Sequence, residues 1–299
     1  MTDHFADRLA EAVRRAGSRV CVGLDPAADR AAVALGRDPA EATGAPEAAA
    51  ETILAFNRRL IEAVRPYCAI AKPQSAFYER WGAPGIEALR ETMALCREAG
   101  LLVILDAKRS DIASTATAYA QAYLGGGPLA CDALTVNPYL GADGIAPFLA
   151  EARGRGKGIF VLVKTSNPSS VELQNATLQD GRTVYELMGD FVEQWGEASV
   201  GECGYTDVGA VVGATFPAEL AALRQRMPHT WFLVPGYGRQ GGTAADVAVA
   251  FDSEGLGAIV NNSSGLMYAY ESSGAADFAT AAAEAARTMR DALESARKP

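Results

Sequence analysis

The stretch Leu101-Leu-Val-Ile-Leu-Asp106-Ala-Lys108-Arg-Ser-Asp111-Ile112-Ala-Ser-Thr115 runs an unbroken apolar segment straight into a cluster of charge. Leu101–Leu105 is apolar at every position, as expected of a strand covered on both faces; alternation would mark a strand with one face in water. Along a strand the side chains alternate, so Asp106 and Lys108 point the same way and Ala107 the other. Asp111 follows the strand end, where Ser110 or Asp111 can start a helix and Asp111 adds negative charge near Lys108. A core strand that delivers a carboxylate and an ammonium to one small space is the seed of a site.

Outward from this stretch the same rhythm recurs. Runs rich in Val, Ile, Leu and Cys at Arg19–Leu24, Tyr67–Ala71, Leu101–Leu105, Ala133–Val136, Ile159–Val163, Val208–Gly213, Trp231–Val234 and Gly257–Val260 are strand candidates. Between them Ala49–Val64, Gly85–Ala99, Ile112–Leu124, Thr183–Ala198, Ala218–Met227 and Thr243–Phe251 space their apolar residues three and four apart, as helices do. Eightfold alternation of strand and helix predicts an α/β fold, a (β/α)8 TIM barrel. A doubly wound sheet is the other arrangement such alternation allows. The barrel is favoured because polar, Gly and Pro residues gather directly after the strands, where a barrel brings them together on one rim.

The chain reads as a single TIM-barrel domain over residues 1–299, with insertions near 26–46 and 166–183. The first insertion is Ala- and Asp-rich without clear period. The second follows a strand end and reads as a candidate lid or a solvated excursion. Met1–Ala16, with Phe5, Leu9 and Val13 at helical spacing, is expected to close the barrel bottom.

With 49% hydrophobic and 21% charged residues the composition is that of an ordinary globular protein. A net charge of −9 argues against a nucleic-acid or anionic-membrane surface, which needs a basic face. No uncharged apolar run is long enough to span a bilayer, and Asp3, Asp7 and Glu11 occupy the start where a secretory signal needs positive charge, so a cytoplasmic location is expected. The five cysteines lack Cys-x-x-Cys spacing and read as reduced core thiols. Only His4 and His229 are present, too few for a histidine-rich metal site and poorly placed for a Ser-His-Asp triad.

Two further constellations carry chemistry. Pro235-Gly-Tyr237-Gly238-Arg239-Gln240-Gly-Gly242 contains Gly-x-Gly-x-x-Gly, but after the seventh strand candidate, where a dinucleotide fingerprint would follow the first. Its glycines let backbone amides approach a phosphate, and loops after strands seven and eight of a barrel often hold one. Lys72 and Lys164 end strand candidates two and five, so both can reach the mouth. Lys108 lies between two carboxylates that hold it protonated, which suits a proton donor better than an amine nucleophile.

Asp25, Lys72, Asp106-Ala-Lys108-x-x-Asp111-Ile112-x-x-Thr115, Thr165-Ser166-Asn167-Pro168 and the Pro235–Gly242 loop resemble, in order and over nearly the whole chain, the orotidine 5′-phosphate decarboxylase family. Lys72–Phe77 and Thr135–Tyr139 match its longer form. The resemblance implies decarboxylation of orotidine 5′-monophosphate to uridine 5′-monophosphate in de novo pyrimidine synthesis, without metal or cofactor. It implies that Lys108 protonates C6 of the pyrimidine and that Asp106 faces the substrate carboxylate. Asp111, Ile112 and Thr115 would enter the neighbouring subunit's site, making a homodimer the active unit. Asp25 and Lys72 would hold ribose hydroxyls, and Ser166 the pyrimidine amide edge. Gln240 and nearby backbone amides would hold the phosphate, and Pro235, Tyr237, Gly238, Ser263 and Ser264 would be further substrate-binding residues of these two loops. Where the family usually carries Asn-Ser-Ser-Arg-Gly, this chain reads Asn261-Asn262-Ser263-Ser264-Gly265, so Arg239 is expected to replace the lost charge. The competing readings are a magnesium-dependent phosphosugar decarboxylase or synthase of the same suprafamily, and a non-catalytic phosphonucleotide-binding protein.

Overall fold

A computed structural model describes residues 4–239 and 241–297. Eight parallel strands, β1 (Val20–Leu24), β2 (Ile70–Pro73), β3 (Leu102–Arg109), β4 (Ala133–Val136), β5 (Gly158–Lys164), β6 (Val208–Val212), β7 (Phe232–Val234) and β8 (Ala258–Asn262), close in sequence order into a barrel. The ring closes where Val20, Cys21 and Val22 of β1 pair with Val260, Asn261 and Asn262 of β8. Every strand candidate read from the sequence is a strand of this barrel.

The continuous apolar runs follow from two cores on opposite faces of one sheet. Val20, Val22 and Leu24 point outward into the layer beneath the helices, whereas Cys21 points into the barrel with Ile70, Ile104, Ala133, Phe160, Leu233 and Ile259. The helix Phe5–Ala16 sets Phe5, Leu9 and Val13 on this inner core, with Phe5 edge-on to Phe160 at 6.1 Å. It plugs the end where the strands begin. Gly158, first in β5, has no room for a side chain because the Phe5 ring occupies the place of a Cβ. The opposite end of the barrel, where the strands finish, is left for polar residues.

Both insertions are more ordered than their composition suggests. The segment after β1 forms the helices Ala28–Ala34 and Pro39–Thr43, the second capped by the Asp38 side chain at 2.8 Å from the Ala40 amide. The segment after β5 carries the helix Ser170–Gln174 and is pinned back on its own root: Gln174 bridges the Thr165 amide and hydroxyl at 2.9 and 2.8 Å. No helix among the described residues is long and apolar enough to cross a membrane.

Candidate active site

Inward parity carries three strands to one point. In β2 Ile70 faces the barrel interior, so Lys72 does too; in β3 Ile104 does, so Asp106 follows; in β4 Ala133 does, so Thr135 follows. Asp106 is the hub. One carboxylate oxygen accepts from Lys108 Nζ at 2.6 Å and Thr135 Oγ1 at 2.9 Å. The other accepts from Lys72 Nζ at 2.9 Å and Gln74 Nε2 at 3.0 Å.

Burial by itself would raise the Asp106 pKa, but Lys72 and Lys108 beside it outweigh that effect and hold the carboxyl well below the usual carboxylate range. Burial would likewise depress Lys72, and Asp106 and Asp25 overcome it and push its pKa up. The two lysines differ in access: the Lys72 side chain is 6% exposed and that of Lys108 45%. Lys72 is a fixed charge, whereas Lys108 reaches open space.

The backbone at this point is irregular. Pairing of β3 with β4 slips between Leu105 and Arg109, and Lys108 adopts φ +47°, a left-handed conformation unusual for a side chain of its kind. Thr135 Oγ1 holds the distortion by accepting from the amides of Ala107 and Lys108 at 3.0 and 2.9 Å. One hydroxyl thus fixes both the Asp106 carboxylate and the backbone that presents Lys108.

Two cavities meet at Lys72, Asp106 and Pro235. One, of about 350 Å³, is lined by Lys108, Thr135, Ser166 and Asn167 with an apolar wall of Leu162, Val211 and Leu233. The other, of about 340 Å³, is lined by Asp25, Arg30, Tyr237, Arg239, Asn261, Ser263 and Ser264. In the second, Asp25 Oδ1 and Asn261 Oδ1 are buried acceptors without a hydrogen-bond partner among the described residues. Two unsatisfied acceptors on one wall call for a ligand that brings donors, such as sugar hydroxyls.

Of the residues expected from sequence, Asp25, Lys72, Asp106, Lys108, Ser166, Pro235, Tyr237, Arg239, Ser263 and Ser264 line these cavities. Asp111, Ile112 and Thr115 do not, and Ile112 is 49% exposed. Gln240 lies outside the described residues. Gly238 lines neither cavity, and its amide bonds Gly242 O at 2.8 Å.

Three amides of the glycine loop, those of Gly238, Gly241 and Gly242, are not open to a ligand. Gly236, Gly238 and Gly241 have φ of +98°, +76° and +100°, which their lack of a Cβ permits. The resulting turn spends the amides of Gly241 and Gly242 internally, on Gly238 O and Gly236 O. The helix that follows, capped by Thr243 and Asp246, has only five residues.

Lys164 corrects the expectation from sequence. Strand parity directs it into the mouth with Leu162, but the pairing of β5 with β6 shifts between those two residues and turns Lys164 outward. It is fully buried, bonded to Asn175 Oδ1 at 2.6 Å and paired with Glu219 at 3.4 Å. Gln74, Thr135 and Asn261 are not among the site residues expected from sequence, although parity from Lys72, Ala133 and Ile259 points each inward. Arg30 carries no such signal.

The histidines and cysteines stay out of the site. His229 pairs with Glu193 at 2.7 Å, exposed, and His4 bonds Ser199 at 3.0 Å. All five cysteines are free thiols, four of them buried. Among the described residues no three His, Cys, Asp or Glu side chains group as a metal site would require.

A closed barrel with its charged groups gathered at the strand ends, around two joined cavities, defines a (β/α)8 protein acting on a small molecule at its C-terminal rim. Its ionised Asp–Lys centre, beside a polar compartment, narrows that class further. The chain belongs to the Orotidine 5′-phosphate decarboxylase / HUMPS family, whose model matches residues 18–277. It is 44% identical over 297 residues to the orotidine 5′-phosphate decarboxylase of Rhodopirellula baltica, covering 98% of this chain and 96% of that one. With the Deinococcus radiodurans protein of the same name it shares 42% over 300 residues, covering 99% of each. The solved structure of Leishmania donovani OMP decarboxylase matches with a TM-score of 0.76 at 37% identity, covering 98% of both chains.

Proposed function

We propose that this chain, acting in the cytoplasm as a homodimer, converts orotidine 5′-monophosphate to uridine 5′-monophosphate and carbon dioxide, with Lys108 as the proton donor to C6. The observation that carries the reading is Asp106, ionised between Lys72 and Lys108 where the two cavities join. The base would lie in the cavity with Ser166 and the apolar wall, its carboxylate against Asp106. Ribose hydroxyls would meet the unsatisfied Asp25 Oδ1 and the Lys72 ammonium, and the phosphate would lie toward Ser263, Ser264 and Arg239.

Crowding two carboxylates destabilises the bound substrate, and the Lys108 ammonium stabilises the carbanion left as carbon dioxide departs. A charge pair about 4 Å apart at an effective dielectric near 20 is worth on the order of 4 kcal/mol, roughly a thousandfold in rate. The rest of the acceleration must come from binding energy at the remote ribose and phosphate, used to force the reacting carboxylate against Asp106.

The reading needs no metal: the cationic role at the reacting carbon belongs to Lys108, and both Asp106 oxygens are taken by donors, Lys108 and Thr135 on one, Lys72 and Gln74 on the other. Following the loss of orotidine 5′-monophosphate absorbance with and without a chelator tests this. Turnover unaffected by chelation is expected. Activity lost on chelation and restored by magnesium would move the assignment to a metal-using phosphosugar enzyme, and no turnover at all to a phosphonucleotide-binding protein.

At the phosphate end Arg239 is exposed on the glycine loop and lines the cavity, so its guanidinium can offer the charge that Ser264 lacks. Hydrogen bonds to charged groups are worth roughly 1.5–3 kcal/mol, so Arg239→Ala should weaken uridine 5′-monophosphate binding by about ten- to a hundredfold. Uridine binding should barely change. Calorimetry on both ligands checks this, and equal losses for the two would remove Arg239 from the phosphate site.

A further inference from the structure

We propose that Arg30, from the helix after β1, is a second anion-binding residue of this site, held in reserve by Glu271 and released onto the ligand's phosphate. The assignment rests on the reading above that the cavity of Asp25 and Ser264 takes a phosphorylated nucleoside. Three cationic side chains line that cavity among the described residues: Lys72, Arg239 and Arg30. Lys72 is committed to Asp106. The charge available to a dianion at the Ser263–Ser264 end is therefore carried by two guanidiniums, one from the loop after β7 and one from the segment after β1.

Arg30 is placed with care for a residue on an insertion. Its guanidinium carbon lies 3.4 Å from the centre of the Tyr268 ring, a stacking contact that fixes its plane. The Tyr268 hydroxyl accepts from the Ala27 amide at 3.0 Å, so the same tyrosine ties down the start of the helix that carries Arg30. Both residues line the cavity. Arg30 also grips Glu271, with Nη2 at 2.7 Å from each carboxylate oxygen and Nε at 3.2 Å from one of them.

That ion pair is weak enough to yield. The two side chains are 33% and 46% exposed, and pairs so open to water contribute no more than about fivefold in an equilibrium. A phosphate dianion in the cavity outcompetes one screened carboxylate for the same fork of donors. Glu271 is then a counter-ion that keeps the empty cavity near neutral and sets how strongly the site holds a phosphate.

The test compares uridine 5′-monophosphate with uridine by calorimetry on the full-length protein and three variants. Arg30→Ala should weaken the monophosphate about tenfold or more and leave uridine within about twofold. Arg30→Met, which keeps an apolar stem against Tyr268, should do the same and serves if the alanine variant is unstable. Glu271→Gln should tighten the monophosphate by about two- to fivefold, a gain that a purely structural ion pair would not produce. Equal losses for both ligands in the Arg30 variants, no loss for either, or weaker monophosphate binding in Glu271→Gln would overturn the assignment. Wild-type protein that binds the monophosphate no better than uridine would overturn the reading of the cavity itself.

Discussion

Lys108→Ala is expected to lower decarboxylation by at least about a thousandfold while uridine 5′-monophosphate still binds. The lysine touches Asp106 and open cavity, and in its absence Lys72, Gln74 and Thr135 still hold the Asp106 carboxylate where it borders the sugar and phosphate compartment. Stopped assays at high enzyme concentration and calorimetry with the product separate the two effects; near-normal turnover would remove Lys108 from the role of proton donor. The same variant probes the subunit arrangement. Asp111 and Thr115 line neither cavity of their own chain, and Ile112, Tyr139 and Leu140 are exposed apolar side chains. If Asp111 acts in the partner's site, mixing Lys108→Ala with Asp111→Ala protomers restores about a quarter of wild-type sites after random exchange, since each mixed dimer has one site with both residues intact. No recovery despite verified exchange would mean that each site is built within one chain.

Asp106→Asn is expected to cost stability as well as activity. It leaves the Lys72 ammonium buried with its main counter-charge gone, and breaking a buried ion pair on one side typically costs about 3–5 kcal/mol. The pH dependence follows from the direction of the shift. The Asp106 pKa is depressed in the folded state, so its contribution is fully present above the unfolded value of about 3.9 and is lost as pH falls toward the lower, folded value. The stability gap between wild type and Asp106→Asn, measured by urea unfolding, should hold steady near neutral pH and narrow below about pH 4. A gap under about 1 kcal/mol at pH 7 would show that the surrounding donors tolerate an amide and that the carboxylate's charge is not what the fold depends on.

How much of this could be read from the chain depends on how local the cause is. The eight strands were legible because burial on both faces leaves an unbroken apolar run, a signal contained in four to eight residues. The helices Ala28–Ala34 and Pro39–Thr43 were not, since seven and five residues are too short to show a helical period. Strand parity accounts for the inward direction of Lys72, Asp106, Thr135 and Asn261. It failed at Lys164, where a register shift decided by packing between β5 and β6 reverses the face. Arg30 was invisible for a different reason: its partners Tyr268 and Glu271 lie more than two hundred residues away, and they meet it only because the barrel closes β1 onto β8.

The left-handed backbone at Lys108 ties the protein's durability to its chemistry. A residue with a Cβ costs roughly 1–3 kcal/mol in such a conformation, and glycine or asparagine would relieve much of it. Selection for ruggedness alone would therefore erase the lysine, since the changes that relax the chain at this position also remove the ammonium proposed above as the proton donor. A laboratory seeking a heat-resistant form should look for added stability elsewhere in the barrel and leave this residue under tension.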